Sequence, residues 1–367
     1  MARPFNLVLL ISASGWRGSG ISFAKIAHGL ADRGHRVLVI TRTPAVTAGF
    51  MAEGLAATEL HLRNTGIPEV SRLRRVLGRH RAEAIMADTP RDLRLSVLAG
   101  LFTRRQIVYR YNMNYRRPRS DLGDRLYARR IAATVYLSEF IQREARDAGA
   151  RFGGSAYLIP NGFDTDVFAP DERAGMAFRA QYGLEPEEAL VLTAGKLVRG
   201  KHVERGIAAL AQVQLNGRRA TYLLCGDGPE EDELKREADR RGVRVLVTGT
   251  IDQKTLRGAY NAAEVVLHTG RETFGNVVGE AMSCGRAVAS VQEGAAPEVI
   301  GTDGKAGILV SPDDTGALAL VLSRLLSDPV QRGTMGAAAR RRIQQLFPLS
   351  RMISDYENMF AAILERK

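Results

Sequence analysis

The 367-residue sequence lacks the features that mark membrane-spanning, disulfide-linked and metal-binding proteins. No apolar stretch approaches the roughly 18 residues that a bilayer-spanning helix needs. Only two cysteines are present, Cys225 and Cys284, and their apolar or small-residue surroundings are typical of reduced core residues. The apolar segment near Met1 is short, contains Asn6 and leads into a glycine-rich turn, which favours a first strand over a signal peptide. These absences predict a cytosolic protein in which the two cysteines form neither a disulfide nor a metal site.

Two common phosphate-binding fingerprints are also missing. The segment Gly15-Trp-Arg-Gly-Ser-Gly20 follows the first predicted strand and opens a helix, where backbone N–H groups can meet a phosphate. Phe23 stands at the third glycine of the dinucleotide fingerprint, and the segment has no Gly-Lys-Ser/Thr ending of a P-loop. Gly18, Ser19 and Gly20 are therefore candidate phosphate-binding residues by position, with a plain tight turn as the alternative.

Acidic residues are scarce in the N-terminal half. The chain has 52 Lys+Arg and 40 Asp+Glu, a formal charge of +12. Residues 1–160 contain 26 basic and 12 acidic residues, whereas the remainder contains 26 and 28. This basic half indicates contact with an anionic membrane surface or an acidic acceptor, with a solvated basic surface as the alternative. Nucleic acid is not predicted, because the interleaved tyrosines match no binding module. The basic clusters are Arg72/Arg74/Arg75, Arg79/Arg81, Arg104/Arg105, Arg116/Arg117/Arg119 and Arg129/Arg130.

Short apolar segments alternate with amphipathic ones along the whole chain, a pattern typical of strands and helices in turn. Pro160-Asn-Gly162 is a strong turn signal between two such series. The pattern predicts an α/β protein with two facing Rossmann-like, doubly wound domains and a cleft between them. We place the N-terminal domain at residues 1–163 and the C-terminal domain at 164–347. Strands are predicted at 5–12, 36–41, 83–87, 106–111, 132–137, 156–159, 190–194, 221–225, 243–248 and 263–268.

The segment that says most about function runs from Arg271 to Glu280, where two glutamates stand eight positions apart. Glu272 is predicted in the loop at the end of a strand, and Glu280 about two turns inside the following helix. The start of that helix offers backbone N–H groups to an anion. Two carboxylates around an anion site suit a ligand with hydroxyls at both ends and phosphate in the middle, such as a nucleotide-sugar. The candidate donor-binding residues here are Glu280, Phe274, Gly275, Asn276 and Val277.

A lysine pair follows another predicted strand. Lys196 and Lys201 flank a turn at Gly200, so that both ammonium groups can point towards the same anion. Two fixed cations beside a helix start could neutralise a diphosphate without a divalent metal. Solvated surface lysines are the alternative interpretation, and the neighbouring glutamate segment favours the functional one.

These segments resemble the retaining nucleotide-sugar glycosyltransferases of the B-type, two-Rossmann-domain fold, and most closely the family numbered four. That family carries Gly-Arg-Leu-x-x-x-Lys-Gly and Glu-x7-Glu segments, which here read Gly195-Lys-Leu-Val-Arg-Gly-Lys-His202 and Glu272 to Glu280. Lys196 keeps the charge of the family's Arg but loses its bidentate fork, and His202 replaces a Gly. Further matches are Leu224-Cys-Gly-Asp-Gly-Pro229, Ile159-Pro-Asn-Gly-Phe-Asp-Thr-Asp-Val-Phe168 and Gly29-Leu-Ala-Asp-Arg-Gly-His-Arg-Val37.

The resemblance implies a metal-independent, retaining hexosyltransferase. It would move a sugar from a UDP- or GDP-sugar to a hydroxyl of a glycan or lipid-linked acceptor, in polysaccharide or lipopolysaccharide biosynthesis. Lys196, Lys201 and Glu272 would be the catalytic residues, and Glu280 would bind ribose. The enzyme would be cytoplasmic, or peripheral on the inner face of the membrane, and its C-terminal helix at about 348–367 would cross back onto the first domain. The resemblance implies no cofactor, because the nucleotide-sugar is the donor substrate.

The resemblance also leads to weaker assignments and to alternatives. Gly249 and Thr250 would lie near the base. The histidines that family members often carry near the reacting carbon are absent here, so Arg110 and Asn112 are candidates for the acceptor side. His268 is either a core histidine or a site residue. A glycosidase would leave the lysines unexplained, a nucleotide-sugar epimerase of the same fold usually lacks this glutamate spacing, and a binding protein without catalysis is the last alternative.

Overall fold

A computed structural model describes residues 3–13, 15–16, 18–61, 64–111, 127–150, 152–215 and 217–365. The chain divides into two units. The first contains Met1–Gly162 and Leu349–Lys367, and the second contains Phe163–Pro348. Among the described residues, no helix has both the length and the apolar character that crossing a bilayer requires.

The first unit is built on a seven-stranded parallel sheet in the order β3-β2-β1-β4-β5-β6-β7. Its central strands are continuous apolar runs, because both faces of a parallel sheet are covered by helices. The strands are β1 (Asn6–Ile11), β2 (Arg36–Thr41), β3 (Ala57–Glu59), β4 (Ala84–Ala87), β5 (Gln106–Tyr111), β6 (Ala133–Tyr136) and β7 (Ser155–Leu158). The helices are α1 (Gly18–Asp32), α2 (Pro44–Ala52), α3 (Ile67–Arg79), α4 (Pro90–Gly100) and α5 (Glu139–Asp147).

The C-terminal helix belongs to the first unit. This helix, α14 (Leu349–Leu364), buries residues three and four apart, including Met352, Ile353 and Tyr356, which is the pattern of a one-sided helix. It packs on α1 at Gly29, where a Cβ would lie 2.4 Å from the Ile353 side chain. The Arg33 guanidinium, at the end of the same helix, pairs with Glu357 at 2.6 Å.

The second unit has a six-stranded parallel sheet in the order β10-β9-β8-β11-β12-β13. Its strands are β8 (Ala189–Ala194), β9 (Ala220–Cys225), β10 (Arg244–Val247), β11 (Val265–His268), β12 (Ala287–Val291) and β13 (Ile308–Val310). Its helices are α6 (Glu172–Gln181), α7 (Val203–Leu210), α8 (Glu231–Arg241), α9 (Gln253–Ala262), α10 (Asn276–Ser283), α11 (Ala296–Ile300), α12 (Thr315–Ser327) and α13 (Pro329–Leu346). Both units therefore confirm the predicted doubly wound, Rossmann-like fold.

Strand order reverses once in each sheet, between β1 and β4 and between β8 and β11. In the second unit β8 and β11 are direct neighbours, with Val191 opposite Val265 and Leu192 opposite Val266. The loops that leave such neighbours turn to opposite faces and open a crevice at the carboxyl edge, the place where open α/β sheets bind ligands. The lysine segment follows β8 and the glutamate segment follows β11, so this topology brings the two segments to one edge.

Candidate active site at the carboxyl edge of the second sheet

The loop after β8 is interlocked with the loop after β9 through backbone hydrogen bonds. Gly195 N–H donates to the Cys225 carbonyl at 2.9 Å, and Leu197 N–H donates to the Asp227 carbonyl at 2.7 Å. A Cβ at Gly226 would lie 1.8 Å from the Gly195 carbonyl oxygen. One at Gly228 would lie 2.1 Å from the Leu197 carbonyl oxygen. Glycine is required at both positions for the backbones to approach, which gives the Gly-Asp-Gly segment a physical role.

Lys201 and Glu272 meet at the carboxyl edge. A short 3₁₀ turn at Arg199–Lys201 presents the Lys201 ammonium to the Glu272 carboxylate, and the two form an ion pair with side chains 27% and 22% exposed. Gly270 allows the β11 loop to approach, since a Cβ there would lie 2.6 Å from Lys201 Cα. Thr269 Oγ1 also donates to the Lys201 carbonyl at 2.9 Å. Two of the three predicted catalytic residues, 71 positions apart, are thus brought together.

The turn that carries Lys201 ends at His202, which stands where the resembled family has glycine. His202 has φ 48°, ψ 43°, the left-handed conformation in which glycine is the usual residue. A non-glycine residue in this region costs about 1 kcal/mol or more. His202 therefore adopts a conformation typical of glycine at a cost in backbone strain.

The Glu272 backbone is held by the loop after β12. Ala295 N–H donates to the Glu272 carbonyl at 3.0 Å, and a Cβ on Gly294 would lie 2.4 Å from that same oxygen. Burial by itself raises the pKa of Glu272, but the nearby His268 and the Lys201 ammonium outweigh this and lower the pKa to about 2. Glu272 is therefore an ionised carboxylate at neutral pH, able to accept hydrogen bonds and to stabilise positive charge.

Lys196 differs from Lys201 in its surroundings. It lies on the same loop but is exposed, and it makes no ion pair with any residue that the structure describes. Its ammonium is available to an anionic ligand, whereas that of Lys201 is engaged with Glu272.

Glu280 is held inside the second unit by a tyrosine that the sequence did not indicate. It is the fifth residue of α10, just over one helical turn from the start, so the predicted depth of about two turns was wrong. Tyr260 Oη donates to Glu280 Oε2 at 3.0 Å. Burial, together with the Glu280 carboxylate, raises the pKa of Tyr260 well above its ordinary value. The tyrosine therefore stays a hydrogen-bond donor and orients the carboxylate.

Phe274 has a packing role that its predicted donor-binding role did not include. Its side chain is 2% exposed and stacks on Phe163 with ring centroids 6.0 Å apart. Phe347 meets it edge-on at 5.5 Å. The Phe274 ring thus packs in the interior of the unit. Gly275, with φ 93°, then directs the chain into α10, which begins with Asn276 and Val277. Only the backbone of Phe274 remains available to a ligand.

Gly249 and Thr250 lie just beyond β10 at the same edge. Gly249 has φ 69°, and Thr248 N–H donates to the Leu224 carbonyl of β9 at 3.0 Å. Thr250 Oγ1 donates to Asp227 Oδ2 at 2.5 Å. The loops after β8, β9, β10 and β11 therefore converge in this unit, and these loops together with α10 carry the donor-side candidates of the C-terminal half.

In the first unit the described candidates lie on α1 and β5. Gly18, Ser19 and Gly20 form the first turn of α1, and a Cβ on Gly20 would lie 3.2 Å from the Trp16 ring. Arg110 is only 2% exposed. It lies 3.4 Å from Asp88 Oδ1 and donates to Ser22 Oγ at 2.8 Å.

The structure therefore gives Arg110 buried structural contacts, and its place on the acceptor side stays a prediction. Its charge is neutralised inside the unit, because a buried guanidinium needs a carboxylate and hydrogen-bond acceptors. Asn112, the other acceptor-side candidate, lies outside the described residues, as do Arg116, Arg117 and Arg119.

Both cysteines are buried and free, as predicted, and burial raises the pKa of each thiol to about 12. Neither thiol is a nucleophile at neutral pH. Sequence reasoning missed Asp227, Tyr260 and Gly294, which position the loops. Only the Gly-Asp-Gly spacing around Asp227 carried a local signal for any of them.

Comparison with known proteins identifies the family. The profile described as "Glycosyltransferase Family 4" matches residues 16–167, and the one described as "Glycosyl transferases group 1" matches residues 176–342. A GDP-mannose-dependent alpha-(1-6)-phosphatidylinositol monomannoside mannosyltransferase of Mycolicibacterium smegmatis is 31% identical over 290 residues, which cover 74% of this chain and 74% of the relative.

Two further proteins extend this result. The sulfoquinovosyl transferase SQD2 of Arabidopsis thaliana is 32% identical over 58% of this chain and 41% of its own length. The crystal structure of Anabaena Alr3699/HepE in complex with UDP and glucose has a TM-score of 0.85 and 23% identity, and covers 97% of this chain and 99% of that one. This last likeness concerns the fold alone. The chain thus belongs to the glycosyltransferases of family four and is a hexosyltransferase-type enzyme with the B-type fold.

Proposed function

We propose that the protein is a metal-independent, retaining glycosyltransferase that moves a sugar from a UDP- or GDP-sugar to a hydroxyl of a glycan or lipid-linked acceptor. The observation that carries this proposal is the ion pair of Lys201 with Glu272, at the edge where β8 and β11 mark the reversal of strand order. The start of α10 and then Glu280 follow Glu272 along the chain. In this proposal the sugar lies at Glu272, the diphosphate at the lysines and the N–H groups of α10, and the ribose at Glu280.

Each group has a chemical role in this proposal. Lys196 and Lys201 stabilise the negative charge that develops on the leaving diphosphate, and the first-turn N–H groups of α10 assist. Glu272 accepts hydrogen bonds from sugar hydroxyls and faces the positive charge at the anomeric carbon. Glu280, fixed by Tyr260, binds the ribose hydroxyls. The diphosphate leaves from the face on which the acceptor hydroxyl attacks and helps to take its proton.

The ionisation of Glu272 favours transfer over the glycosidase alternative. A glycosidase needs one carboxylic acid whose raised pKa allows it to donate a proton. The pKa of Glu272 is instead lowered to about 2, which suits electrostatic stabilisation and not proton donation. The paired lysines, which a glycosidase does not use, then also have a function.

The donor and the acceptor are proposed from the relatives. The mannosyltransferase of M. smegmatis is named for GDP-mannose and a phosphatidylinositol mannoside, whereas the Anabaena structure was determined with UDP and glucose. We therefore place GDP-mannose first among the donors to test, with UDP-glucose second. A lipid-linked acceptor is favoured over a free glycan, because it also accounts for the basic N-terminal half.

The basic surface is proposed to dock on an anionic membrane. Within the described residues, α3 exposes Arg72, Arg74, Arg75 and Arg79. Each such charge near an anionic surface contributes roughly 1 kcal/mol, and screening shortens the Debye length to about 3 Å at 1 M salt. Binding to phosphatidylglycerol vesicles should therefore exceed binding to phosphatidylcholine vesicles and should be lost at high salt.

The docking proposal is tested by co-sedimentation with matched variants. Arg75→Glu/Arg79→Glu changes two exposed arginines of α3, and Arg173→Glu/Arg341→Glu makes the same change at two exposed arginines of the second unit. The first pair should weaken vesicle binding more than the second. Equal binding to both vesicle types by the native protein would refute membrane docking and leave an acidic soluble acceptor.

The catalytic proposal is tested in two steps. A thermal-shift screen across nucleotide-sugars identifies the donor, because a ligand that binds only the folded state raises Tm by mass action. Transfer of labelled sugar is then followed with and without EDTA, and the product's anomeric configuration is read by NMR. Loss of activity in EDTA would contradict metal independence, a β-linked product from an α-donor would contradict retention, and a changed sugar that never leaves the nucleotide would indicate the epimerase.

A further inference from the structure

His268, the last residue of β11, lies close to the Glu272 carboxylate of the ion pair. It is 5% exposed, and its Nδ1 lies 3.1 Å from Ser290 Oγ. Ser290 Oγ donates its own proton to the Val291 carbonyl at 2.9 Å, so towards His268 this oxygen acts as the acceptor. Nδ1 therefore carries a hydrogen, and Nε2 is the ring nitrogen that can gain or lose a proton.

The Nε2 atom faces Glu272 without a hydrogen bond. It lies 3.8 Å from Glu272 Oε1, which is longer than a hydrogen bond, and it has no hydrogen-bond partner in the described part of the chain. The same Oε1 atom accepts from Lys201. Glu272 therefore contacts one cation, Lys201, and lies 3.8 Å from His268 Nε2, which would be a second cation if protonated.

The other charged groups on the neighbouring elements already have partners of their own. Arg205 on α7 donates to the Thr269 carbonyl at 3.0 Å and to Glu293 Oε2 at 2.9 Å, so each of these two charges is already paired. On α10, Glu280 accepts from Tyr260. The charged group that lies within 4 Å of the ring in the described part of the chain is Glu272, and Glu272 is paired with Lys201.

We propose that His268 is a positioning residue that takes up a proton and replaces Lys201 as the partner of Glu272 when a nucleotide diphosphate draws the Lys201 ammonium away. This proposal rests on the proposed donor site. A half-buried carboxylate that loses its contacting cation also loses the stabilisation of its charge. Protonation of Nε2 from solvent supplies an N–H that donates to Glu272 Oε1. The carboxylate then remains ionised and oriented towards the sugar while Lys201 acts on the phosphates.

The consequence is that donor binding is coupled to proton uptake. Imidazole is the side chain that changes charge most readily between about pH 5 and 8. Uptake should approach one proton per nucleotide at a pH where His268 is neutral in the free protein. A purely structural histidine would keep the same charge before and after binding.

Calorimetric titration of the full-length protein with UDP and with GDP, in buffers of different ionisation enthalpy, measures this uptake. His268→Gln keeps an amide N–H for Glu272 but cannot titrate, so its uptake should fall to the background of the nucleotide itself. His61→Gln is the matched control, because His61 is an exposed histidine that pairs with Glu59. In Lys201→Met, His268 already partners Glu272 before binding, so uptake should fall there too.

The outcomes are separable. If neither nucleotide binds the native protein, the proposed donor site is wrong. If the nucleotide binds and uptake is the same in the native protein and in His268→Gln, the role of His268 is refuted. Because His268 is buried and its variant could fail to fold, ¹⁵N imidazole spectra of the native protein provide a second measurement. Nε2 should change from the signal of a bare nitrogen to that of an N–H on nucleotide binding, and an unchanged signal would also refute the inference.

Discussion

Substitution of Gly226 by alanine should damage both stability and donor use. The new Cβ would lie 1.8 Å from the Gly195 carbonyl oxygen, whereas an ordinary contact is about 3.5 Å. The loops after β8 and β9 would have to separate by roughly 1.5 Å, which corresponds to a loss of about 1–3 kcal/mol in the free energy of unfolding. A displacement of this size at Lys196 should lower kcat/KM about 10²-fold. Urea unfolding followed by far-UV circular dichroism and donor-dependent kinetics measure the two effects.

Gly333→Ala is the matched control. Gly333 lies in α13 of the same unit, and a Cβ there would meet nothing within 4 Å. Alanine in an open helical position should stabilise the unit by about 0.5–1 kcal/mol through the entropy of the unfolded chain. The two variants should therefore shift stability in opposite directions. If Gly226→Ala matched Gly333→Ala in stability and activity, the interlocked loops would not be what positions the lysine segment.

Three further predictions concern the charged groups. Lys201→Ala and Lys196→Ala should each lower kcat by about 10²–10³ with a smaller effect on KM, while Lys196→Arg stays active; normal turnover by both alanine variants would place the diphosphate elsewhere. Glu280→Ala should weaken free UDP or GDP, whereas Glu272→Ala should leave nucleotide affinity nearly intact and depress transfer, and the reverse pattern in calorimetry and kinetics would exchange the two roles. The pKa of Glu272 falls from an ordinary 4.5 to about 2 on folding, so its ionised form stabilises the protein above about pH 4.5, and this contribution is lost as pH falls towards 2. Glu272→Gln should therefore be less stable than the native protein at pH 7, and a difference that stayed constant down to pH 3 would contradict this.

Local patterns in the sequence determined most of the secondary structure. The strands at Arg36–Thr41 and Gln106–Tyr111 have the predicted bounds, because apolar runs between turn signals are read from neighbouring residues alone. The short strands Ala57–Glu59 and Ile308–Val310, at or near the sheet edges, were not predicted. Three residues of ordinary composition carry too little periodicity, and they become strands only through pairing with β2 and β12.

The sequence also indicated the site segments, since Lys201, Glu272 and Glu280 stand in motifs of characteristic spacing. What it could not determine is which side chains meet. The contact of Lys201 with Glu272 depends on β8 lying beside β11, and that of Tyr260 with Glu280 depends on how α9 and α10 pack. Arginine side chains are mostly exposed in proteins, yet the fold buries Arg110 beside Asp88 and Ser22. Spacing along the chain is local, whereas burial, charge pairing and the pKa of Glu272 are set by residues distant in sequence, so these properties were decided by the tertiary structure.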